Sequence, residues 1–172
     1  MKKTYLITGG TGFIGSAIAR RLIKEKNNKI ICLDSNLRGN NGKIKDIKNK
    51  LIYINQDIRD LNGLIKVSKK VDSIIHLAFL NGTENFYNKP DLVLDIGIKG
   101  IVNIIEVCKK NKIKELIIAS SSEVYHSPIK IPTDEKESIK IPDVFNPRFS
   151  YSAGKILTEI MAINNSKFLK RL

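Results

Sequence analysis

The chain has 172 residues, 42% of them hydrophobic, and a formal net charge of +13. This length is typical of a single domain with a well-buried core. No apolar run approaches the roughly 20 residues that cross a bilayer, and the opening MKK leads directly into a strand rather than a signal peptide. We therefore predict a cytoplasmic protein that does not enter a membrane.

The positive charge comes mainly from lysines spread along helix-like segments such as RRLIKEK and CKKNKIKE, without interleaved aromatic residues. This spacing is typical of a solvated lysine-rich surface, so nucleic acid is not the expected partner. The field would still attract an anionic ligand such as a nucleotide. Cys32 and Cys108 lie far apart in apolar stretches and are predicted to be buried free thiols. With two histidines and no Cys/His cluster, no metal site is expected.

Strands and helices alternate along the chain. KTYLIT predicts a strand, FIGSAIARRLIKE a helix and KIICLD a second strand, while the polar residues 35–50 predict a loop with at most a short helix. LIYINQD, LNGLIKVSKK and VDSIIHLA predict the third strand, a helix and the fourth strand. A long helix, PDLVLDIGIKGIVNIIEVCKKN, and a fifth strand, ELIIAS, precede a proline-rich loop (128–147) and a last helix, YSAGKILTEIMAINN.

This alternation predicts the fold class. Strands that alternate with helices imply right-handed crossovers and a parallel sheet. The strands are continuous apolar runs, as expected for a sheet that is covered on both faces. We predict an α/β fold with a doubly wound parallel sheet in one domain.

Three glycines stand between the first strand and the first helix. Gly9, Gly12 and Gly15 are three residues apart within TYLITGGTGFIG. In such a turn the first glycine allows the tight turn, the second lets backbone approach a pyrophosphate, and the third permits close helix–strand packing. The helix N-terminus adds unpaired N–H groups and a positive dipole. The motif predicts a dinucleotide cradle and a Rossmann fold.

Asp34 closes the second strand, 19 positions after Gly15. A carboxylate at this position accepts hydrogen bonds from the adenosine ribose and repels a 2′-phosphate, which favours NAD over NADP. Arg38 lies nearby in the sequence and is the residue that would instead suit NADP.

Further motifs follow in a fixed order. TGGTGFIG, Asp34, QDIRD, HLA, ASSSEVY and YSAGK occur in sequence and together cover about residues 3–165. With these motifs the chain resembles the extended short-chain dehydrogenase/reductase family, the NAD-dependent nucleotide-sugar epimerases and dehydratases. The resemblance implies that NAD is the cofactor, that Asp57 and Ile58 contact adenine, and that the loop from Leu77 to Phe79 borders the cofactor. The predicted cofactor-binding residues are Gly9, Gly12, Phe13, Ile14, Gly15, Asp34, Asp57, Ile58, Leu77, Ala78, Tyr151 and Lys155.

Tyr151 and Lys155 are four residues apart at the start of the last helix, so both side chains lie on one face. A tyrosine with a pKa of about 10 is a poor base at neutral pH. A nearby ammonium, together with the positive nicotinamide, favours the phenolate and lowers this pKa. We predict that Tyr151 takes the proton of a sugar hydroxyl and that Lys155 also holds the nicotinamide ribose.

The resemblance places the third catalytic residue, Ser121, just after the fifth strand, where its hydroxyl would bind the reacting oxygen. Ser120 and Ser122 are expected to satisfy the loop. Glu123 follows two residues after Ser121. In related 4,6-dehydratases a glutamate here works at the sugar C5, whereas many epimerases carry it without using it, so both a catalytic and a structural role are open. Dehydratases with an Asp–Glu pair would need Asp at position 122.

Three positions depart from the family pattern or need a separate interpretation. His126 replaces the glycine that usually follows VY, and we interpret it as a loop residue rather than a catalytic one. Gly97 stands where an asparagine is common in the long helix, at a cost of roughly 1 kcal/mol against alanine. His76 ends the fourth strand and is predicted to be packed rather than catalytic.

Relatives implied by the resemblance continue beyond this length with another strand and a smaller domain that grips the nucleotide sugar. We therefore expect residues 1–165 to form the NAD-binding domain, residues 166–172 to be a frayed tail, and the substrate domain to be absent. The fifth strand would then be an edge strand. The chain would be an excised piece of a longer protein, a truncated gene product, or a half that pairs with another polypeptide, and of these we favour the truncated member.

The resulting functional prediction is the NAD-binding portion of a nucleotide-sugar epimerase, in which hydride leaves C4 and returns to the other face. A 4,6-dehydratase or decarboxylase of the same family is the alternative. A catalytically incomplete NAD-binding module is an alternative of another class. The expected substrate is a UDP-, dTDP- or GDP-linked sugar, and the resemblance implies a homodimer.

Overall fold

A computed structural model of the protein describes residues 3–168. The chain contains five strands and five α-helices within that range. In order they are β1 (Thr4–Thr8), α1 (Phe13–Leu22), β2 (Lys29–Asp34), a 3₁₀ helix (Asn41–Lys50), β3 (Ile52–Asn55), α2 (Leu61–Val67), β4 (Ser73–His76), α3 (Thr83–Asn88), α4 (Pro90–Lys110), β5 (Glu115–Ile118) and α5 (Ser150–Asn164). Three further 3₁₀ turns are Ser122–Val124, Pro147–Phe149 and Ser166–Phe168.

All five strands are parallel and lie in the order β3-β2-β1-β4-β5. The chain moves outward from β1 to β3 and then returns to β4 on the other side of β1. The strand order therefore reverses between β1 and β4, and at such a point the carboxyl ends of the strands leave a crevice for a ligand. The predicted doubly wound α/β fold is confirmed.

Side chains that alternate along each strand form two cores, one on each face of the sheet. Leu6 and Ile74 belong to the core that α2, α4 and α5 cover, whereas their neighbours Ile7 and Ile75 belong to the core beneath α1 and the 3₁₀ helix. Because successive residues of a strand point to opposite faces, a sheet covered on both sides needs apolar residues at every position. This explains the continuous apolar runs in the sequence.

Residues 35–50 are more ordered than the sequence predicted. A 3₁₀ helix of ten residues spans Asn41–Lys50, and the Asn40 side chain caps it by accepting a hydrogen bond from Gly42 N. Ile44 and Ile47, three residues apart, are both buried in the core beneath α1. The prediction of at most a short helix was wrong because two isoleucines among lysines give a weak pattern that only tertiary contact stabilises.

α3 was not predicted from the sequence. This helix of six residues follows Gly82, which has φ +121, and its Phe86 is buried in the core beside Tyr151. So short a segment, TENFYN, contains one apolar anchor and therefore lacks a helical period.

β5 is an edge strand within the described residues, as predicted, because the sheet order ends there. Its Ile117 is 44% exposed. Beyond α5, Ser166–Phe168 form a 3₁₀ turn, and residues 169–172 of the predicted tail lie outside the described residues. No helix within residues 3–168 combines the length and apolar character needed to cross a membrane.

Cys32 and Cys108 are both free and buried, as predicted. Burial raises the pKa of each thiol to about 12. The neighbouring charge of Asp34 contributes to this shift at Cys32. Both thiols therefore stay protonated and behave as small apolar side chains.

Candidate cofactor and active site

The glycine turn joins β1 to α1. Gly9 has φ +70, and a Cβ there would lie 2.9 Å from Ala78 N. At Gly15 a Cβ would lie only 2.2 Å from the carbonyl oxygen of Gly9. Gly12 N donates a hydrogen bond to that oxygen at 3.0 Å. Gly12 is also the N-cap residue of α1 and makes no side-chain cap. The N-cap residue therefore offers no side chain to the first N–H groups of α1, whose first residues line the cleft described below.

A fourth glycine, Gly10, was not assigned a role from the sequence. A Cβ at this position would lie 2.6 Å from Cys32 Cβ, so the absence of a side chain lets the turn pass over β2. The sequence did contain a signal for this role, because Gly10 stands next to Gly9 in a turn whose other glycines had been assigned roles.

Asp34 lies at the carboxyl end of β2 and is 9% exposed. Its carboxylate accepts hydrogen bonds from Thr11 N at 3.0 Å and from Asn36 N at 2.9 Å. These bonds tie the glycine turn to β2 and orient the carboxylate. Each carboxylate oxygen can accept more than one bond, so both retain capacity for a ligand hydroxyl.

Asp57 follows β3 and is held by Arg59. Arg59 Nη2 and Nε donate to the two oxygens of Asp57 at 2.6 and 3.0 Å, and Nη1 donates to Asp95 on α4 at 2.8 Å. Hydrogen bonds from Arg59 lower the pKa of Asp57, which therefore stays ionised. Asn103 of α4 also donates to the carbonyls of Ile58 and Arg59 at 2.9 and 3.0 Å. The segment predicted to contact adenine is thus fixed to α4.

His76 and Thr8 order the loop after β4. Leu77 N and Ala78 N approach Thr8 Oγ1 at 3.2 and 3.3 Å as donors, which leaves the Thr8 proton for His76 Nδ1 at 2.8 Å. Burial, together with the charge of Lys155, lowers the pKa of His76 to about 3. His76 is therefore neutral and packed, in agreement with its predicted structural role.

Tyr151 and Lys155 point from α5 toward the carboxyl edge of the sheet. Lys155 Nζ donates to Ala119 O at 2.6 Å, just after β5, and lies 5.8 Å from the centroid of the Tyr151 ring. Phe79 contacts the Tyr151 ring edge-on at 5.1 Å, and Phe86 stacks on it at 5.0 Å. Burial lowers the pKa of Lys155 to about 8, and the charge of Glu159 partly opposes this shift.

The pKa of Tyr151 does not follow the prediction made from the sequence. Burial raises it above its usual value, a hydrogen bond with Ser121 lowers it, the charge of Glu123 raises it, and that of Arg38 lowers it. Lys155 is not among the causes of this shift, and burial of the ring between two phenylalanines is the largest of them. The positive nicotinamide named in the prediction is a charge that this chain does not itself contain.

Ser121 and Glu123 lie beside the tyrosine. Ser121 accepts a hydrogen bond from Glu123 N at 3.3 Å, and it is near enough to Tyr151 to lower the pKa of that residue. Glu123 approaches Arg148 at 3.5 Å. The neighbouring Ser120, predicted to satisfy the loop, donates a hydrogen bond to Glu159 and also lines the cleft described below.

His126 is a loop residue, as predicted. It is exposed, its ring lies edge-on to Phe149 at 5.1 Å, and its φ is +53. This positive φ is a conformation that glycine adopts freely, which gives a physical reason for the glycine that usually stands here.

The glycine turn, the carboxyl ends of the strands and the start of α5 line one cleft of about 410 Å³, a volume within the range of small-molecule sites. Ser121, Glu123 and His126 are not among its lining residues. Arg38 and Lys43 line it as cations that the cofactor prediction did not include. Together with Asp34 and Asp57 they provide the charges that suit the phosphates and the hydroxyl or amino groups of a dinucleotide. Every predicted cofactor-binding residue lines the cleft: Gly9, Gly12, Phe13, Ile14, Gly15, Asp34, Asp57, Ile58, Leu77, Ala78, Tyr151 and Lys155.

The amino-acid sequence matches a known protein family. The profile described as "NAD dependent epimerase/dehydratase family" matches residues 5–167. The chain belongs to this family. The predicted resemblance is thereby confirmed. Because the family is NAD dependent, the prediction of NAD as the cofactor is also confirmed at the level of the family.

Members of the family with different activities are similar to this chain. A dTDP-D-glucose 4,6-dehydratase of Dictyostelium discoideum is 33% identical over 96% of the chain and 41% of that protein. A putative UDP-glucose 4-epimerase of Methanocaldococcus jannaschii is 36% identical over 90% of the chain and 48% of that protein. The structure of a UDP-N-acetylglucosamine 4-epimerase from Methanobrevibacter ruminantium M1 is 29% identical, with a TM-score of 0.84 over 99% of the chain and 54% of the other.

The chain spans about half the length of the curated relatives that it matches. The matched half contains the complete parallel sheet described above and all the motifs identified in the sequence. The catalytic roles of Ser121, Glu123, Tyr151 and Lys155 stay predictions.

Proposed function

We propose that the chain is the NAD-binding portion of a nucleotide-sugar 4-epimerase. The observation that supports this most directly is the single cleft that joins the glycine turn, Asp34, Asp57 and the Tyr151–Lys155 pair. A cofactor cradle and a proton-transfer pair in one continuous cleft are what a hydride-transfer reaction on a bound sugar requires.

The residues of the cleft divide the cofactor between them. The first N–H groups and the dipole of α1 would hold the pyrophosphate. Asp34 would accept hydrogen bonds from the adenosine ribose, and Asp57 with Ile58 would contact adenine. Lys155, whose ammonium is turned toward the carboxyl edge of the sheet, would hold the nicotinamide ribose.

NAD, when bound, supplies a reversible hydride acceptor. The residues of this chain would bind and transfer the proton of the sugar hydroxyl. Tyr151 would accept the proton of the sugar 4-hydroxyl, and Ser121 would donate a hydrogen bond to the same oxygen. Return of the proton and of the hydride, the latter to the opposite face of C4, would give the epimer with no net oxidation.

A 4,6-dehydratase is the second candidate. Glu123 supports it, since its charge is close enough to affect the pKa of Tyr151 and its ion pair with Arg148, at 3.5 Å, is loose. A glutamate so placed could exchange a proton at the sugar C5 after oxidation at C4. A decarboxylase is a third outcome, because a UDP-N-acetyl-alpha-D-glucosaminuronate decarboxylase of Bacillus cytotoxicus is 30% identical.

The proposal includes the setting in which the chain works. We expect a UDP-, dTDP- or GDP-linked sugar as the substrate, a cytoplasmic location and no binding of nucleic acid. A homodimer through α4 and α5 is supported by apolar side chains that those helices leave exposed, including Val102, Ile160 and Ile163.

Calorimetric titration with NAD and NADP tests the cofactor site. Asp34→Ala should weaken NAD binding about tenfold or more, because a charged acceptor is lost, and should reduce the preference for NAD over NADP. Asp34 also binds Thr11 N and Asn36 N, so the melting temperature of the variant is measured alongside. Asp134→Ala, which removes an exposed carboxylate outside the cleft, is the matched control.

Incubation with NAD and a panel of UDP-, dTDP- and GDP-sugars tests the reaction. Inversion at C4 supports the epimerase, and a 4-keto-6-deoxy product supports the dehydratase. NAD binding without turnover of any sugar would favour an NAD-binding module instead. If the folded chain bound no NAD, the epimerase, the dehydratase, the decarboxylase and the NAD-binding module would all be contradicted.

A further inference from the structure

A slot between α4 and α5 contains the ring of Phe79. A Cβ at Gly97 of α4 would lie 2.2 Å from Phe79 Cζ, and a Cβ at Gly154 of α5 would lie 2.7 Å from the same atom. The ring can therefore enter the slot only because both helices have glycine at the contact. This explains Gly97, which departs from the asparagine common at that position.

The ring in this slot contacts both side chains of the proton-transfer pair. Lys155 Nζ lies 4.6 Å from the Phe79 centroid, a cation–π distance, and the ring of Tyr151 meets it edge-on at 5.1 Å. Phe79, Tyr151 and Lys155 all line the cleft. Lys155 Nζ thus contacts the carbonyl of Ala119, the Phe79 face and, at the longer distance of 5.8 Å, the Tyr151 ring.

We propose that Phe79 is a positioning residue of the cofactor site: seated between Gly97 and Gly154, it holds the Lys155 ammonium where the nicotinamide ribose must bind. This inference rests on the proposed function. Without the Phe79 ring, Lys155 would lose the nearer of its two ring contacts, and its long side chain would sample other rotamers. The free energy needed to order the Lys155 side chain again would reduce the affinity for the cofactor.

If Phe79 positions Lys155, its loss should affect only the nicotinamide half of the cofactor. If Phe79 only packs the site, its loss should affect both halves. Lys155 lies at the end of the cleft that Tyr151 lines, whereas Asp34 and Asp57 line the end assigned to adenosine. Loss of positioning should therefore weaken NAD and leave AMP unaffected. Loss of packing that deforms the whole cleft should weaken both ligands together.

The first experiment compares NAD and AMP binding by calorimetry in the wild type and in Phe79→Leu. We expect NAD affinity to fall about tenfold, the size of a desolvated cation–π contact, and AMP affinity to stay within about twofold. Phe86→Leu is the matched control, because Phe86 also packs on Tyr151 but lies outside the residues that line the cleft. It should leave the ratio of the two affinities unchanged.

The second experiment tests the slot. Gly97→Ala should displace the ring and reproduce the loss of NAD affinity with the natural Phe79 still present. In the Phe79→Leu/Gly97→Ala double variant the clash with the distal ring atoms is absent, so its NAD affinity should be no lower than that of Phe79→Leu alone. Additive losses would contradict coupling through the slot.

A third measurement does not depend on NAD. Competitive acetylation of lysines with acetic anhydride, followed by mass spectrometry, reports the accessibility of Lys155, which is 4% exposed. Its labelling should become several-fold faster in Phe79→Leu and in Gly97→Ala but not in Phe86→Leu. Unchanged labelling in Phe79→Leu, or a parallel loss of NAD and AMP affinity, would overturn the inference. Failure of the wild type to bind NAD would instead contradict the proposed function, and the labelling would still decide the role of Phe79.

Discussion

The two ends of the cleft are built in different ways. The glycine turn consists of consecutive residues, and its shape depends on close contacts of backbone atoms such as Gly9 O. The other end, around Tyr151, brings together side chains from α5, from the loop after β4 and from the turn after β5. It also buries the ammonium of Lys155. The glycine turn therefore supports the fold, whereas the burial of the Lys155 ammonium costs stability.

Gly15→Ala should have the largest effect at the turn. The new Cβ would lie 2.2 Å from the backbone oxygen of Gly9, which cannot move without opening the turn. We expect a loss of about 3 kcal/mol of folding free energy, at the upper end for overpacking, and no measurable NAD binding. Urea denaturation and calorimetry measure the two effects.

Gly12→Ala is the matched control for this variant. Its Cβ would lie 3.1 Å from the same oxygen, so a small adjustment suffices. The loss of stability should be under about 1 kcal/mol, while NAD binding should still weaken because the methyl group stands where the pyrophosphate approaches. Equal destabilisation by the two variants would contradict the account of the turn.

Tyr151→Phe should separate binding from chemistry. The variant keeps the ring between Phe79 and Phe86 and removes only the hydroxyl, so NAD affinity should change little. If the proposed reaction is correct, turnover of the sugar should fall by about 10²–10⁴-fold, the range for loss of a general acid–base group. Steady-state kinetics with the active sugar from the panel provides the measurement. Substantial residual turnover would exclude Tyr151 as the proton acceptor.

Lys155→Met should stabilise the chain at neutral pH. Burial lowers the Lys155 pKa from 10.5 to about 8, so between these values the folded chain binds fewer protons than the unfolded chain. Stability of the wild type should therefore rise with pH over this window, and the full cost of the buried ammonium should apply below it. We expect a gain of about 2 kcal/mol for the variant at pH 7, which shrinks as the pH approaches 10. A pH-independent difference in urea denaturation would contradict this cost.

The cradle was predictable from the sequence because its requirements are local. A strand, a glycine spacing and a carboxylate at the end of the next strand are visible in one segment, and all the cofactor residues predicted from motifs line the cleft. The core faces were predictable for the same reason, since alternation along a strand decides which side chains share a face.

At the end of the cleft with Tyr151 and Lys155, the sequence predicted which residues take part but not how they pack. The contact of Phe79 with Gly97 and Gly154 joins three elements that are far apart in the sequence, and no spacing rule connects them. The raised pKa of Tyr151 follows from burial between two phenylalanines, one of them on α3, a helix that the sequence did not indicate. Departures such as Gly97 were the available signal, because an unexplained glycine in a helix implies a close neighbour.

His126→Gly should have the smallest effect and the opposite sign to Gly15→Ala. His126 has φ +53, which a side chain tolerates poorly, so glycine should relieve strain of roughly 1 kcal/mol. The greater entropy of an unfolded glycine and the lost contact with Phe149 offset part of this gain. We expect a net stabilisation of about 0.5 kcal/mol in urea denaturation. His126→Ala, which loses the contact and keeps the strain, should be less stable than the wild type. If both variants destabilised the chain equally, the ring contact rather than the backbone would determine this position.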